Sequence, residues 1–542
     1  FIKTMKIKLL LSLLVAGALS VSAQQGYKDG VEYFKAGQYE NAKTLLERNL
    51  NDASTDKAVA YYYLGAIAVH DKDLTAAKSD FEKGLAANPN NAFNKVGLGE
   101  LALMGGDAKA ASNYFDEARK INKKDAKVMV AIARAYFNTD PVKYAKEIDK
   151  NLEQAYKANK QEPDIFVLRG DMKAAEKEWG DAAGNYENAI LYSKGLPEAY
   201  VKYANAYFNV NPEYAIAKLQ ELLKESPNSA LGQRELAEKY YQNDQWAKAA
   251  SAYGDYINNP NHFTEDEVRY SVLLYYGQHY DESLAIANKL LASDPNNFQL
   301  QRIAFLDKAA MKDYTAAKQL AQRFFALNDP KNKYTSNDYS TYAQVLEELG
   351  EDSLAVFEYE KALEVNPEKS DLYKALSSAY SGMKNYDKAL EVFKNFIDRG
   401  DYVTNDLVIL ANRYQNVAAT SENGSEKKQN AINNAIATID QVIERVPDHY
   451  VPVRNKARMF LVKNDNHPSK EMADTYMQVV SMLDKDPENK TKNKDVYNEA
   501  YSQIASYYIS ERDVPMAKEY YEKVYELDPT NQALRDYIDK MK

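Results

Sequence analysis

The chain has 542 residues and no cysteine, which excludes disulfide frameworks, thiolate metal sites, cysteine nucleophiles and lipid attachment to a cysteine together. Its 21 Gly and 16 Pro fall below the usual ~7% and ~5% and argue against a loop-rich all-β chain. An apolar content of 45%, with 44 Tyr and 17 Phe, excludes general disorder, and a net charge of −10 excludes nucleic acid as a partner, because phosphate binding needs a basic surface.

In chain order, the first 23 residues stand apart, with three lysines, no acid and an apolar run from Leu9 to Leu19. They read as a secretory signal peptide. Lys6 and Lys8 form its positive end, Val21-Ser22-Ala23 supplies the small residues of a cleavage site, and cleavage falls before Gln24. Phe1 to Thr4 precede a start at Met5. No cysteine follows the apolar segment, so a lipoprotein is excluded. No other segment approaches the ~20 apolar residues needed to cross a bilayer. The mature chain is expected as a soluble protein of the periplasm, and loss of Lys3, Lys6 and Lys8 takes its charge from −10 to −13.

Beyond the leader the sequence repeats with a period of 34 residues. In 58–91, Leu64-Gly65 is followed by Ala77 twelve residues after the glycine, then by Phe81, Gly84-Leu85 and Asn88-Pro89. Tyr342-Ala343, Ala355, Tyr359, Ala362-Leu363 and Asn366-Pro367 fall at the same offsets, as do Ile504-Ala505, Ala517, Tyr521, Val524 and Asp528-Pro529. Apolar residues keep helical spacing in two blocks per repeat, parted by short turns such as Gly37-Gln38, Asn243-Asp244 and Lys384-Asn385. Each repeat is therefore a helical hairpin. A small residue at its eighth position lets the second helix come close, and a larger one sixteen residues on fills the remaining space. Proline near position 32 ends the second helix.

Two repeats depart from this length. The fourth is too long between Asp140 and Gln161, and the twelfth carries an insertion from Thr420 to Gln429 that reads as a flexible surface tip. The repeat from Tyr450 to Asn489 keeps Ala457 and Pro487 with an open register between them. In Gln532 to Lys542, Leu534, Tyr537 and Ile538 share one side, as in a helix that caps the last repeat.

These landmarks resemble the tetratricopeptide repeat, over nearly the whole chain from Gln24 to Asn531, in about fourteen hairpins. The resemblance implies an all-α solenoid, a right-handed superhelix whose concave face is lined by the first helix of each hairpin and holds a peptide segment or a partner subunit. In such repeats the fifth, ninth and twelfth places of the first helix face the groove. They fall on Val130, Arg134 and Phe137; Val201, Asn205 and Phe208; Arg234, Glu238 and Tyr241; and Val268, Val272 and Tyr275, with Arg269 alongside. Arginine and aromatic side chains suit binding because they bury large area at modest entropic cost. Phe137, Phe208, Tyr241 and Tyr275 fit a second reading equally, as packing between neighbouring hairpins. The basic and asparagine pattern by which some relatives clamp a chaperone's terminal carboxylate is absent, since Val201 and Glu238 stand where it requires polar or basic groups.

No enzyme chemistry is legible. Five scattered histidines make no metal-helix motif, Gly97-Leu98-Gly99 lacks the third glycine of a dinucleotide loop, and Ser-x-x-Lys is as frequent as composition alone dictates. No cofactor and no metal are expected. The sequence points to a non-enzymatic scaffold of a Gram-negative cell envelope. The alternative is a glycan- or peptidoglycan-binding module that stacks sugars on tyrosine pairs such as Tyr275-Tyr276 and Tyr507-Tyr508.

Overall fold

The computed structural model describes residues 26–327 and 331–541, and the expected signal peptide lies outside them. Regular structure among the described residues is entirely helical, and the chain divides at Ser293/Asp294 into two compact units. Eight hairpins make the N-terminal unit, from 26–35 with Tyr39–Asn49 to Thr264–Tyr276 with Tyr280–Leu291. Six make the C-terminal unit, from Phe298–Ala310 with Tyr314–Phe325 to Lys494–Ser510 with Val514–Leu527. The final helix, Gln532–Lys540, packs on Val514–Leu527 and buries Ile538.

The period is written in the turns. Left-handed residues recur 34 apart, at Lys72 and Gly106, at Asp244, Gln278 and Lys312, and at Gly350 and Lys384. Each reverses the chain between two helices, and most are not glycine, so the tight connection is bought with backbone strain of about 1 kcal/mol per turn. Asp73, Asp107, Asp313, Asn385 and Asp513 then cap the second helices by accepting a backbone N–H two or three residues into the helix. Prolines 89, 227, 367, 447 and 529 stand two residues past the ends of second helices, where a ring without an N–H is tolerated.

Inside a hairpin the small and large places interlock. A Cβ on Gly65, Gly99 or Gly170 would lie 2.6, 2.4 or 2.4 Å from the ring of Phe81, Phe115 or Tyr186, each sixteen residues on. Only a hydrogen fits there. Where serine takes that place the helices are also bonded: Ser377 Oγ donates to the Ala389 carbonyl at 2.7 Å, and the carbonyl of Ser271 accepts from Ser283 Oγ on the second helix at 2.9 Å. One hairpin inverts the arrangement, with Phe305 at the small place and Ala321 at the large one, both fully buried.

The insertion in the twelfth hairpin is not the flexible tip expected from its composition. Its residues lengthen both helices, to Thr404–Thr420 and Glu426–Arg445, and leave only 421–425 as a connection. Ser425 caps the second helix through the Lys428 N–H, Gly424 takes the left-handed turn, and Lys427 reaches Asp387 on the preceding hairpin at 2.7 Å. Local polarity misled because the same Ser and Gly that mark a loose loop also serve as a cap and a turn. The fourth hairpin takes its extra length as a wider turn over 140–144. The open register after Tyr450 resolves as Tyr450–Lys463 and Lys470–Leu483, followed by a short helix, Asn489–Lys492.

Candidate functional site

Within each unit neighbouring first helices pack on or bond to one another, so the groove places there share a face. On this face of the N-terminal unit the charges pair between hairpins. Arg134 Nη1 donates to Asp171 at 2.7 Å, and the other Asp171 oxygen accepts from Lys202 Nζ at 2.6 Å and Tyr186 Oη at 2.9 Å. Burial alone would raise the Asp171 pKa; Arg134 and Lys202 outweigh it and hold the carboxyl below its ordinary value. Glu238 repeats the motif one hairpin pair later, accepting from Tyr253 Oη and from Arg269. Arg234 grips Asp266 with Nε at 2.6 Å and Nη2 at 3.1 Å.

The aromatic places make packing contacts within the unit. Tyr241 stacks under Arg269, 5.0 Å from its guanidinium, and meets the edge of Trp246 at 5.1 Å. Phe208 lies 4.8 Å below Lys239 Nζ, and Phe137 packs on the buried core of its own unit. Tyr275 contacts Tyr276 and Tyr280 and is half-buried, whereas Tyr276 is 73% exposed. Asn205 is exposed.

What occupies this face was not legible in the sequence: the chain's own first hairpin. Asp29 accepts from Asn261 Nδ2 at 2.7 Å, and Glu32 accepts from Ser229 Oγ at 3.1 Å. Tyr33 is fully buried, edge-on to Phe263 at 5.5 Å. Lys35 Nζ sits 3.1 Å from Glu198 and 3.7 Å from Asp164, and Gln38 bridges Glu235 at 2.5 Å and Arg234 at 3.4 Å. These partners lie 129 to 232 positions away, and no local pattern announces them.

The burial is felt in the titration of the site. Burial pushes Glu32 up to about 8, with the negative charges of Asp29 and Glu198 adding to it. Glu100 rises to about 7 through burial, against the opposing hydrogen bond from Asn138 and the charge of Arg134. Burial depresses Lys239 and raises Glu235. Beside the docked hairpin remains a cleft of about 280 Å³, with Phe34, Tyr39, Tyr62 and Phe137 as apolar wall and Arg134 and Lys35 as charged rim.

The first helices of the C-terminal unit, taken by themselves, carry other chemistry. Gln344 is exposed at the place equivalent to Asn205. Glu499 gathers Arg454, Arg458 and Tyr476, with Arg458 Nε at 2.6 Å and Tyr476 Oη at 2.8 Å. Arg413 donates to three serines of the preceding first helix. Among the described residues no cluster of His, Asp and Glu could hold a metal ion, and no helix is long and apolar enough to cross a membrane.

Comparison with known proteins adds the following. The family model described as tetratricopeptide repeat matches residues 339–369 and 499–531. Over 168 residues, 31% of this chain, the sequence is 26% identical to the protein CTR9 homolog of Arabidopsis thaliana, and the match spans 15% of that relative's length. Among solved structures, the C-terminal part of a TPR repeat-containing protein from Cytophaga hutchinsonii is similar at 22% identity and TM-score 0.39, covering 50% of this chain and 98% of that one. YrrB, described as a TPR protein with an unusual peptide-binding site, is similar at 16% identity and TM-score 0.31, covering 38% of this chain and 98% of its own.

Proposed function

We propose that this chain, which matches the tetratricopeptide-repeat model at 339–369 and 499–531, is a non-enzymatic scaffold of the bacterial cell envelope, holding a peptide segment or partner subunit on the face of its first helices. The observation that carries this reading is the docked first hairpin: the face already holds a helix, through a buried tyrosine, ion pairs and amide bonds. A surface with those features suits a second protein segment for the same physical reasons. Export to the periplasm rests on the leader of the first 23 residues, with its positive end, apolar core and small-residue cleavage site. Within the N-terminal unit the open part of the face is the stretch around Asn205, Arg269 and Tyr275-Tyr276, together with the cleft beside the hairpin.

The test places a photo-crosslinking amino acid at Asn205 or at Gln344, both exposed on first helices, and at Lys78 on a second helix as control. Expressed with its own leader in a Gram-negative host, the protein should reach the periplasm and crosslink to a stoichiometric protein from the two first-helix positions and not from Lys78. Crosslinks from Lys78 alone, or specific saccharide capture that survives protease treatment of the lysate, would overturn the reading, the latter in favour of the glycan-binding alternative.

A further inference from the structure

Arg413 differs from the other arginines on the face of the first helices. Arg134, Arg234, Arg269, Arg302, Arg454 and Arg458 all form ion pairs with carboxylates. Arg413 is half-buried and donates to neutral groups: Nε to Ser377 Oγ at 3.1 Å, Nη1 to Ser381 Oγ at 2.9 Å and Nη2 to Ser378 Oγ at 3.3 Å. Burial draws its pKa down, with no carboxylate near enough to oppose it. The acid before it on the same helix, Asp406, lies seven residues and so ~10 Å away. That acid is also already engaged, by Lys374 at 3.0 Å and by its own helix start through the Val403 N–H.

The Arg413 guanidinium keeps donors that no group among the described residues uses. A guanidinium carries five N–H groups, and three are used here, which leaves one on each terminal nitrogen. Ser377 spends its own proton on the Ala389 carbonyl. Ser378, exposed, and Ser381, half-buried, accept from the arginine and keep hydroxyl protons to offer. The cluster thus presents two N–H and two O–H donors beside an uncompensated positive charge, on the face already assigned to partner binding.

We propose that Arg413, Ser378 and Ser381 form a receptor for one carboxylate, the side chain of an Asp or Glu in a partner's segment lying along the first helices of the C-terminal unit. This deepens the scaffold reading and rests on it for the identity of the carrier. A carboxylate fits better than a phosphate group because the site holds one unpaired cation. A phosphate carries close to two negative charges, and the neighbouring Lys374 is committed to Asp406.

Arginine modification by phenylglyoxal, followed residue by residue in the mature protein by mass spectrometry, reads the site without needing the partner. Glutarate at constant ionic strength should slow modification of Arg413 at least threefold relative to chloride, and leave the exposed Arg512 unchanged. A Ser378→Ala, Ser381→Ala double variant, which keeps the guanidinium and the Ser377 bond, should lose most of that protection. An arginine that only ties two helices together would react slowly and equally in both salts, and that result overturns the proposal, as does protection by inorganic phosphate without protection by glutarate. Failure here beside successful crosslinking from Asn205 and Gln344 removes the carboxylate site and leaves the scaffold. Protection here without any crosslinked protein removes the scaffold reading and keeps the anion site.

Discussion

Replacing Glu32 by Gln should tighten the hold of the first hairpin on its own unit and remove most of its pH dependence. The carboxyl is pushed from an ordinary value of 4.5 to about 8 by burial and by the charges of Asp29 and Glu198, against the Ser229 hydroxyl and Lys35, which favour the ionised form. Between those two values the docked state keeps a proton that the undocked state releases. Docking is therefore at full strength below about pH 4.5, weakens as the pH rises and is weakest above about 8. Between pH 5.5 and 8 the shift corresponds to about 3.4 kcal/mol at 1.36 kcal/mol per unit, reduced to about 2 kcal/mol because Glu32 keeps some solvent contact. Glutamine retains the oxygen that accepts from Ser229 Oγ and cannot ionise. Hydrogen exchange of peptides covering 26–49, corrected for intrinsic rates, should show about a thirtyfold loss of protection in the parent chain from pH 5.5 to 8.5 and only a fewfold loss in the variant. The residual dependence comes from Glu235, which burial also raises and which bonds Gln38. Equal pH dependence in the two proteins, or a hairpin no better protected than a fraying terminus at either pH, would refute the reasoning.

The interlocked places of the repeat give a matched pair of substitutions. Gly170→Ala drives a Cβ to 2.4 Å from the Tyr186 ring and should lower stability by about 1–3 kcal/mol, whereas Gly184→Ala, on a helix with nothing within 4 Å, should raise it by about 0.5–1 kcal/mol, both read as shifts in the urea midpoint. In the inverted hairpin, Phe305→Ala should cost about 3–5 kcal/mol, and adding Ala321→Phe should restore at least half, because the pair then takes the polarity of its neighbours; independent, additive effects in the double-mutant cycle would count against the interlock. Glu499, held down at about 2 by hydrogen bonds from Arg458, Arg454 and Tyr476 that override its burial, stabilises the C-terminal unit above pH 4.5 and loses that contribution as the pH falls through about 2. Glu499→Gln should accordingly cost about 2 kcal/mol at pH 7 and almost nothing near pH 2 in urea titrations.

The hairpin architecture was readable because its determinants are local and copied. Gly65 and Phe81, or Gly170 and Tyr186, sit at fixed separations within one repeat, and the turn at Lys384 and the proline at 367 act within a few bonds of where they stand. Arg134, Arg234 and Arg269 stand on first helices for the same reason, and each is held in an ion pair there. Their partners were beyond reach. Arg134 meets an aspartate 37 residues on, and Gln38 meets a glutamate 197 residues on, so the first follows once the hairpins are stacked and the second only once the first seven hairpins have been placed together. The 421–425 connection shows the opposite failure, where correct local chemistry was assigned to the wrong purpose, a loose loop in place of a capped turn.

Self-docking also sharpens what the repeats of the two units are built to do. In the N-terminal unit Arg134, Lys202, Arg234 and Arg269 are paired with carboxylates of the unit itself, and Glu198 is paired with Lys35 of the first hairpin, where burial also pushes Glu32 up to about 8. A segment arriving there must displace the hairpin, or settle beside it in the cleft and near Asn205. On the first helices of the C-terminal unit the same census ends with Arg413 held by hydroxyls alone. Half-burying a cation without a counter-charge costs stability that ion pairs offset for Arg134, Arg234, Arg269, Arg302, Arg454 and Arg458. The cost is recovered only when an anion arrives from outside the chain, which makes that arginine the place where a partner's charge has most to contribute to binding.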